Sequence, residues 1–380
     1  MLDPIAFLDD CRRLGIDFFA GVPDSLLKSF CAVLTTEAER SGAGIRHVIA
    51  ANEGGAVALA AGHFLANGRP ALVYMQNSGE GNAVNPLLSL ADPAVYGIPL
   101  VMLVGWRGEP GIPDEPQHRA QGELTVPLLD AMRIPSEILP AEPDEAANSL
   151  RRLTERALRE SRPVALVVRK GTFATGAKAP ARPDLSDLPR EEALREILRL
   201  LPPDALVVGS TGMISREIFE LREAAGEQHD HDFLTVGSMG HASQIALGVH
   251  LERPDRAIVA IEGDGALLMH LGHLAIVASR ANGNFLHIAI NNAAHDSVGG
   301  QPTAAGGIDL ADVARACGYV VLPTASDAAG IRAALADSVP GNKPRFLEIR
   351  VRKGARPDLG RPTVTPAESG SAFRAAIGRG

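Results

Sequence analysis

Two stretches of the chain end an apolar run on residues that can hold a cation. The run from Ala257 to Ile261 stops at Gly263-Asp264-Gly265, and the run from Phe285 to Ile290 stops at Asn291-Asn292. Each run reads as a buried strand. In a parallel sheet the C-terminal ends of neighbouring strands lie side by side, and ligands bind there. One carboxylate and one or two carboxamides then surround a common point. Such hard oxygen ligands suit Mg²⁺ or Ca²⁺, with waters and phosphate oxygens completing the shell. The glycines beside Asp264 let the backbone approach a diphosphate, and a helix after Gly265 offers its N-terminus to the same anion. Alone, Gly-Asp-Gly is an ordinary tight turn and Asn-Asn an ordinary loop. Their joint placement, with one helix between them, carries the signal.

Upstream, polar residues again follow strand-like runs. DFFAGVPDSLLKSF (17–30) reads as a short strand, a turn at Gly21-Val22-Pro23 and a helix from about Asp24 or Ser25, with Asp24 read most simply as its N-cap. HVIAANEGGAVALAAG (47–62) ends its strand at Ala50 or Ala51, and Glu53 opens a helix of small residues. A helix so rich in Gly and Ala must pack closely, which can draw the carboxylate of Glu53 into an interface. ALVYMQNSGEGNAVNPLLSL (71–90) is a buried strand that breaks into a polar, glycine-rich loop. PLVMLVGWRGEPGIPDEPQHRAQG (99–122) repeats that design with an unusually long loop holding Trp106, Arg107, Glu115, His118 and Gln121. Long loops in compact domains tend to be functional.

The elements that must position these residues alternate. DEAANSLRRLTERALRE (144–160) carries Ala146, Leu150, Leu153 and Ala157 at helical spacing, and VALVV (164–168) closes the first half. Residues 174–190 are rich in Pro and Ala without apolar periodicity and read as a linker between domains 1–173 and 191–380. The second half opens on a helix with Leu194, Ile197, Leu198 and Leu201 in one stripe. It continues through ALVVGSTGMISREIFEL (205–221) and DFLTVGSMGHASQIALGVHL (232–251), each a strand, a glycine-rich turn and a helix. After the two metal-type stretches, residues 304–351 give helix, strand YVVLP, helix and strand RFLEIRV, and a Pro- and Gly-rich tail follows from about 354. The fold class is α/β, with two open, mostly parallel sheets covered by helices.

Composition agrees. A chain of 380 residues with 46% hydrophobic and 22% charged content accommodates two cores. A net charge of −8 argues against a nucleic-acid surface. No apolar run approaches the ~20 residues that span a bilayer, and the start MLDPIAFLDD is acidic where a secretory signal is basic. Cys11, Cys31 and Cys317 lack metal-ligand spacing and read as buried thiols of a cytoplasmic protein. No GxxxxGK[ST] loop is present, and no GxGxxG opens a helix after a strand, which disfavours a plain nucleotide-binding module.

Taken together, GDG answered by NN, with GVPDSLLK, QNSGEGNAVNP, GWRGEPGIPDEPQH, FLTVGSMGHAS and AHDSVGGQPT, resembles the thiamine-diphosphate-dependent 2-oxo acid decarboxylases over nearly the whole chain. Within that family the strings are most similar to the branch acting on 2-oxo acids with a phosphonate or sulfonate at the far end. The resemblance implies a pyrimidine-binding domain, then a diphosphate-binding domain, with residues 174–190 in place of the family's middle domain. It implies thiamine diphosphate and Mg²⁺ as cofactors, the metal held by Asp264, Asn292 and the carbonyl of Ala294. Glu53 is expected to bond the pyrimidine N1′, Met239 to wedge between the two cofactor rings, and the Gly237 carbonyl to accept from the exocyclic amine. Thr211, Gly212, Ser238, Gly263, Gly265 and Ala266 are expected along the cofactor. Asp24 and His118 match proton-donor positions of related decarboxylases, and His295, just past the metal site, is a third candidate; the loops at the strand ends supply Lys28, Arg107, and His295 with Ser297, as candidate donors to an anionic substrate. Glu53 and Asp264 lie in different domains, which the family draws from different subunits, so at least a homodimer is implied.

Overall fold

Short apolar runs alternating with amphipathic helices build two parallel sheets, each buried on both faces. The computed structural model describes residues 1–378 apart from 41, 43 and 337–340. It divides into two units, Met1–Ala181 with Val298–Gln301, and Arg182–Ser297 with Pro302–Gly380.

The first unit runs α1 (Pro4–Arg13), β1 (Phe18–Gly21), α2 (Lys28–Glu39), β2 (Arg46–Ile49), α3 (Glu53–Asn67) and β3 (Ala71–Gln76). It continues with α4 (Glu80–Pro86), β4 (Leu100–Gly105), α5 (Pro116–Ala131), β5 (Ser136–Ile138), α6 (Pro143–Glu160) and β6 (Pro163–Val168). The strands order β2-β1-β3-β4-β6-β5, all parallel. One face packs Phe7, Phe30 and the α6 stripe Ala146, Leu150, Leu153 and Ala157 against the sheet; the other packs α3 and α4 through Ala56, Ala60 and Ala83. Helix α3 starts where Asn52 Oδ1 accepts from Gly55 N (2.8 Å) and stops at Gly68, whose φ of 72° suits glycine.

The second unit runs α7 (Arg190–Leu200), β7 (Leu206–Gly209), α8 (Met213–Ala225), β8 (Asp232–Leu234), α9 (Ala242–Glu252) and β9 (Ile258–Gly263). Then come α10 (Asp264–Met269), α11 (His273–Arg280), β10 (Phe285–Asn291), and the two-residue strands β11 (Ala294–His295) and β12 (Gln301–Pro302). The chain ends with α12 (Leu310–Cys317), β13 (Val320–Val321), α13 (Ala328–Ala336), β14 (Arg345–Arg350) and α14 (Pro366–Ile377). The sheet order is β13-β14-β10-β9-β7-β8, again parallel throughout. Both sheets are therefore doubly wound.

Several local expectations need correction. Asp24 is not an N-cap, because α2 begins at Lys28. The glycine-rich loop after β3 is mostly the helix α4, and His118 stands in α5 rather than in a long loop. Helix α10 starts at Asp264 itself, not after Gly265. The C-terminal region is more than a tail. Thr365 and Glu368 close a capping box that starts α14, and Phe373 packs on Phe233 with ring centroids 5.5 Å apart. Cys11 and Cys31 are buried, but Cys317 is partly exposed. Among the described residues no helix is long and apolar enough to cross a membrane.

Candidate active site

In each sheet the chain leaves its first strand to one side and then crosses back to the other, and crevices in such sheets open at that point. In the first unit the reversal lies between β1 and β3, whose loops carry Asp24 and Asn77 to Gly79. Glu53 is only 5% exposed. Asn82 Nδ2 donates to its Oε2 (2.8 Å), and a Cβ on Gly79 would overlap its Oε1. The glycine therefore makes room for the carboxylate.

Asp24 is fully buried and is cleared in the same way, since a Cβ on Gly105 would overlap its Oδ2. Burial pushes its carboxyl up to about 6, against the opposing pull of the Leu26 amide (3.0 Å) and of the Arg107 charge. Arg107 lies beside it: its Nη1 donates to Ser25 Oγ at 3.0 Å, and that hydroxyl lies 3.4 Å from Asp24 Oδ1. Nε and Nη2 of Arg107 grip Asp114 at 2.8 and 2.5 Å, and these bonds hold Asp114 well below the usual carboxylate range. Asn77 brackets the Arg107 backbone, donating to its carbonyl (2.7 Å) and accepting from its amide (3.1 Å). His118 is buried, with its carbonyl pressed on Gly108. Lys28 is exposed at the first position of α2. The structure thus links Asp24 to Arg107 through Ser25, and adds partners that the sequence did not mark: Asn77 and Asp114 for Arg107, and Asn82 for Glu53.

In the second unit the reversal lies between β7 and β9. The loop after β7 holds Thr211 and Gly212, whose φ of 97° admits glycine readily and which starts the 13-residue α8. Pairing of Ile290 with Gly263 sets Asp264 beside the asparagines. Asp264 is 2% exposed; Thr303 Oγ1 and the Asn292 amide donate to its carboxylate, and burial pushes it up to about 6. Asn292 Oδ1 accepts from Ala294 N (3.0 Å), and its Nδ2 donates to Asp296 (2.7 Å). Ser238 (φ 54°) and Gly240 (φ 86°) bend the chain on either side of Met239. A Cβ built on Gly265 would stand 3.0 Å from the His295 ring and 3.4 Å from Met239 Cε, so all three converge. Burial lowers His295 to about 4, leaving it neutral at pH 7. Ser297 Oγ reaches the open side of Gly212 at 4.0 Å from an added Cβ. Gly237 precedes the Met239 bend, and Ala266 and Ala294 are buried beside Asp264 and Asn292.

This oxygen-only set fits a hard dication next to a diphosphate. Among the described residues no three His, Cys, Asp or Glu side chains cluster as a metal site. A metal at Asp264 would need amide, carbonyl or phosphate oxygens to complete its shell, ligands that suit a hard dication. Gly212 and Gly263 leave the backbone open, since an added Cβ would meet nothing closer than 4.0 and 3.7 Å.

Residues 6–132 match the thiamine pyrophosphate enzyme N-terminal TPP binding domain, and residues 208–349 match the C-terminal TPP binding domain. The chain is 37% identical to a phosphonopyruvate decarboxylase of Streptomyces viridochromogenes, over 96% of this chain and 92% of that protein. A phosphonopyruvate decarboxylase of Streptomyces hygroscopicus is also 37% identical, over 98% and 94%. A sulfopyruvate decarboxylase of Methanosarcina acetivorans is 28% identical, over 81% and 80%. With both cofactor domains present and such relatives spanning nearly its full length, the chain belongs to the thiamine pyrophosphate enzymes, in the branch of the phosphonopyruvate decarboxylases.

Proposed function

We propose that this chain decarboxylates 3-phosphonopyruvate to phosphonoacetaldehyde and CO₂, using thiamine diphosphate and Mg²⁺. The near-full-length likeness to two phosphonopyruvate decarboxylases carries this reading. Thiamine diphosphate, when bound, supplies the nucleophilic carbon and the electron sink for loss of CO₂. Everything else falls to the chain. Glu53 holds a proton at the pyrimidine N1′, Met239 sets the angle between the two rings, and the Gly237 carbonyl accepts from the exocyclic amine. Asp264, Asn292 and the Ala294 carbonyl hold Mg²⁺. Thr211, Gly212, Ser238, Gly263, Gly265 and Ala266 lie along the cofactor.

A proton must be returned to the carbon that loses CO₂. Asp24 is the favoured donor, because its buried carboxyl keeps its proton up to about pH 6. His295 is neutral and His118 is buried, so both fit hydrogen-bonding roles. Lys28, Arg107 and Ser297 are the donors for the substrate's phosphonate. Arg107 engages Asp114 through two nitrogens, so its grip on an anion requires a change of partner. The working protein is a homo-oligomer, at least a dimer, in the cytoplasm; its three free thiols fit that compartment.

A second reading, sulfopyruvate as substrate, is favoured by the sulfopyruvate decarboxylase relative. The test is kcat/KM for phosphonopyruvate, sulfopyruvate and pyruvate, with thiamine diphosphate and Mg²⁺ present. A site whose buried donors go unpaired without the anion should prefer phosphonopyruvate over pyruvate by ~10⁴. Sulfopyruvate should fall between them. Sulfopyruvate turned over best would replace the substrate, and equal turnover of pyruvate would remove the anion-binding role.

A further inference from the structure

A carboxamide can serve a cation only through its oxygen, yet its two ends have nearly the same shape. Something must therefore decide which end of Asn292 faces the metal. Its Nδ2 donates to Asp296 Oδ2 at 2.7 Å. The same carboxylate oxygen accepts from Arg190 Nη1 and from the Gly354 amide, each at 2.9 Å. The Asp296 oxygen that Asn292 meets is thus an acceptor shared with a guanidinium and a backbone amide. A flipped Asn292 would set oxygen against oxygen.

Arg190 is fixed in turn. Its Nε and Nη2 bond both oxygens of Glu217 at 2.8 and 3.0 Å, and Arg190 and Glu217 are only 5% and 1% exposed. Glu217 sits in α8, Arg190 opens α7, and Asp296 follows β11, so three separate segments converge on one amide. The neighbouring asparagine is held as well. Asn291 Nδ2 donates to the buried Glu348 (2.8 Å), and its Oδ1 accepts from Ala293 N (3.0 Å). Directly after the two asparagines, Ala293 takes a φ of 54°, a left-handed conformation that a residue with a Cβ keeps only where its surroundings enforce it. A plain ionic staple between α7 and α8 would need only Arg190 and Glu217. The third guanidinium nitrogen, turned to Asp296, serves the metal loop.

We infer that Asp296 and Arg190, anchored by Glu217, are positioning residues that hold the Asn292 carboxamide with its oxygen toward the metal. This rests on the reading of Asp264, Asn292 and Ala294 as a Mg²⁺ site for thiamine diphosphate. Partners one step behind a ligand commonly govern metal affinity by ~10–100-fold.

The experiment is calorimetric titration of Mg²⁺ into the full-length protein with thiamine diphosphate, alongside circular dichroism and thermal melting without cofactor. Asp296→Ala should weaken apparent Mg²⁺ affinity by ~10–100-fold while the cofactor-free melt stays close to wild type. Asn292→Asp sets two carboxylates against each other and should also bind Mg²⁺ weakly. Adding Asp296→Asn to Asn292→Asp restores a donor facing an acceptor and keeps an oxygen for the metal, so affinity should recover by tenfold or more. This isosteric pair decides the matter should Asp296→Ala not fold. Wild-type affinity in a folded Asp296→Ala, or no recovery in the double variant, overturns the inference. No Mg²⁺-dependent binding by the wild type overturns the underlying site as well.

Discussion

Asp24 and Glu53 are both buried carboxylates lodged where a glycine gives way, Gly105 for one and Gly79 for the other. Their proposed tasks differ, and so do their signatures. Asp24 is raised from 3.8 to about 6, chiefly by burial, so the acid form persists two units beyond an exposed aspartate. A donor must be protonated to act; the decarboxylation rate should therefore fall as pH rises through about 6. Asp24→Asn should cut kcat by ~10²–10⁴ and abolish that limb of the profile. An unchanged limb in the variant would assign it to another group. For Glu53→Gln the expected outcome is cofactor binding with exchange of the thiazolium C2 proton slowed ~10²-fold or more, since the amide cannot share a proton with N1′ in the needed direction. Deuterium exchange followed by NMR measures it, and wild-type exchange would reduce Glu53 to a helix-start residue. At this scale Asp264 and Asn292 were legible because strands end on them. Their supports were not. Thr303 reaches Asp264 across 39 residues and Asn77 reaches Arg107 across 30, and no local pattern encodes such pairs. Asp114, read only as part of a loop, proves to be the partner of Arg107.

At the scale of elements, apolar periodicity found the strands and the strongly amphipathic helices, such as α6. It missed α4 and α14, which bury few side chains, Glu80 and Ala83 in one and Phe373 and Ala376 in the other. Tertiary packing makes those helices, and a sequence window sees little of it. Helix α4 also carries a liability. Glu80 is buried in its first turn, its Oε1 has no hydrogen-bond partner among the described residues, and burial raises its carboxyl from 4.5 to about 8. The sign of the consequence follows from proton counting. Between pH 4.5 and about 8 the folded chain keeps this proton while the unfolded chain has lost it. Stability contributed by the protonated form is fully present below 4.5 and is lost as pH rises to about 8, at up to ~1.4 kcal/mol per unit. Glu80→Gln cannot ionise, so its melting temperature should decline less between pH 5 and pH 8 than that of the wild type. Parallel profiles would show that Glu80 is ionised and solvated in the folded chain.

For the whole molecule, alternation of strand and helix announced two doubly wound sheets, and both are present with helices on each face. Sequence pattern does not encode how copies of the chain assemble. The proposed chemistry nevertheless constrains it, because one thiamine diphosphate needs Glu53 of the first unit and Asp264 of the second. If a site takes these from two different subunits, defects in the two halves should complement. Asp264→Ala removes the carboxylate of the metal shell and should abolish Mg²⁺-dependent cofactor binding while the fold persists. Glu53→Gln should bind cofactor yet remain nearly inactive. Each homodimer is then defective at both sites. In a dimer with one subunit of each kind, both lesions fall in one site, and the other site is assembled from two intact halves. Random reassortment makes half the dimers mixed, so activity should recover to about a quarter of wild type. The measurement is to mix the two purified variants, exchange subunits by dilution and reconcentration, and assay with saturating thiamine diphosphate and Mg²⁺. Recovery that requires the exchange step would show that the site is shared between subunits. Continued inactivity, with mixed dimers verified by differently tagged subunits, would mean that each chain supplies Glu53 and Asp264 to its own cofactor.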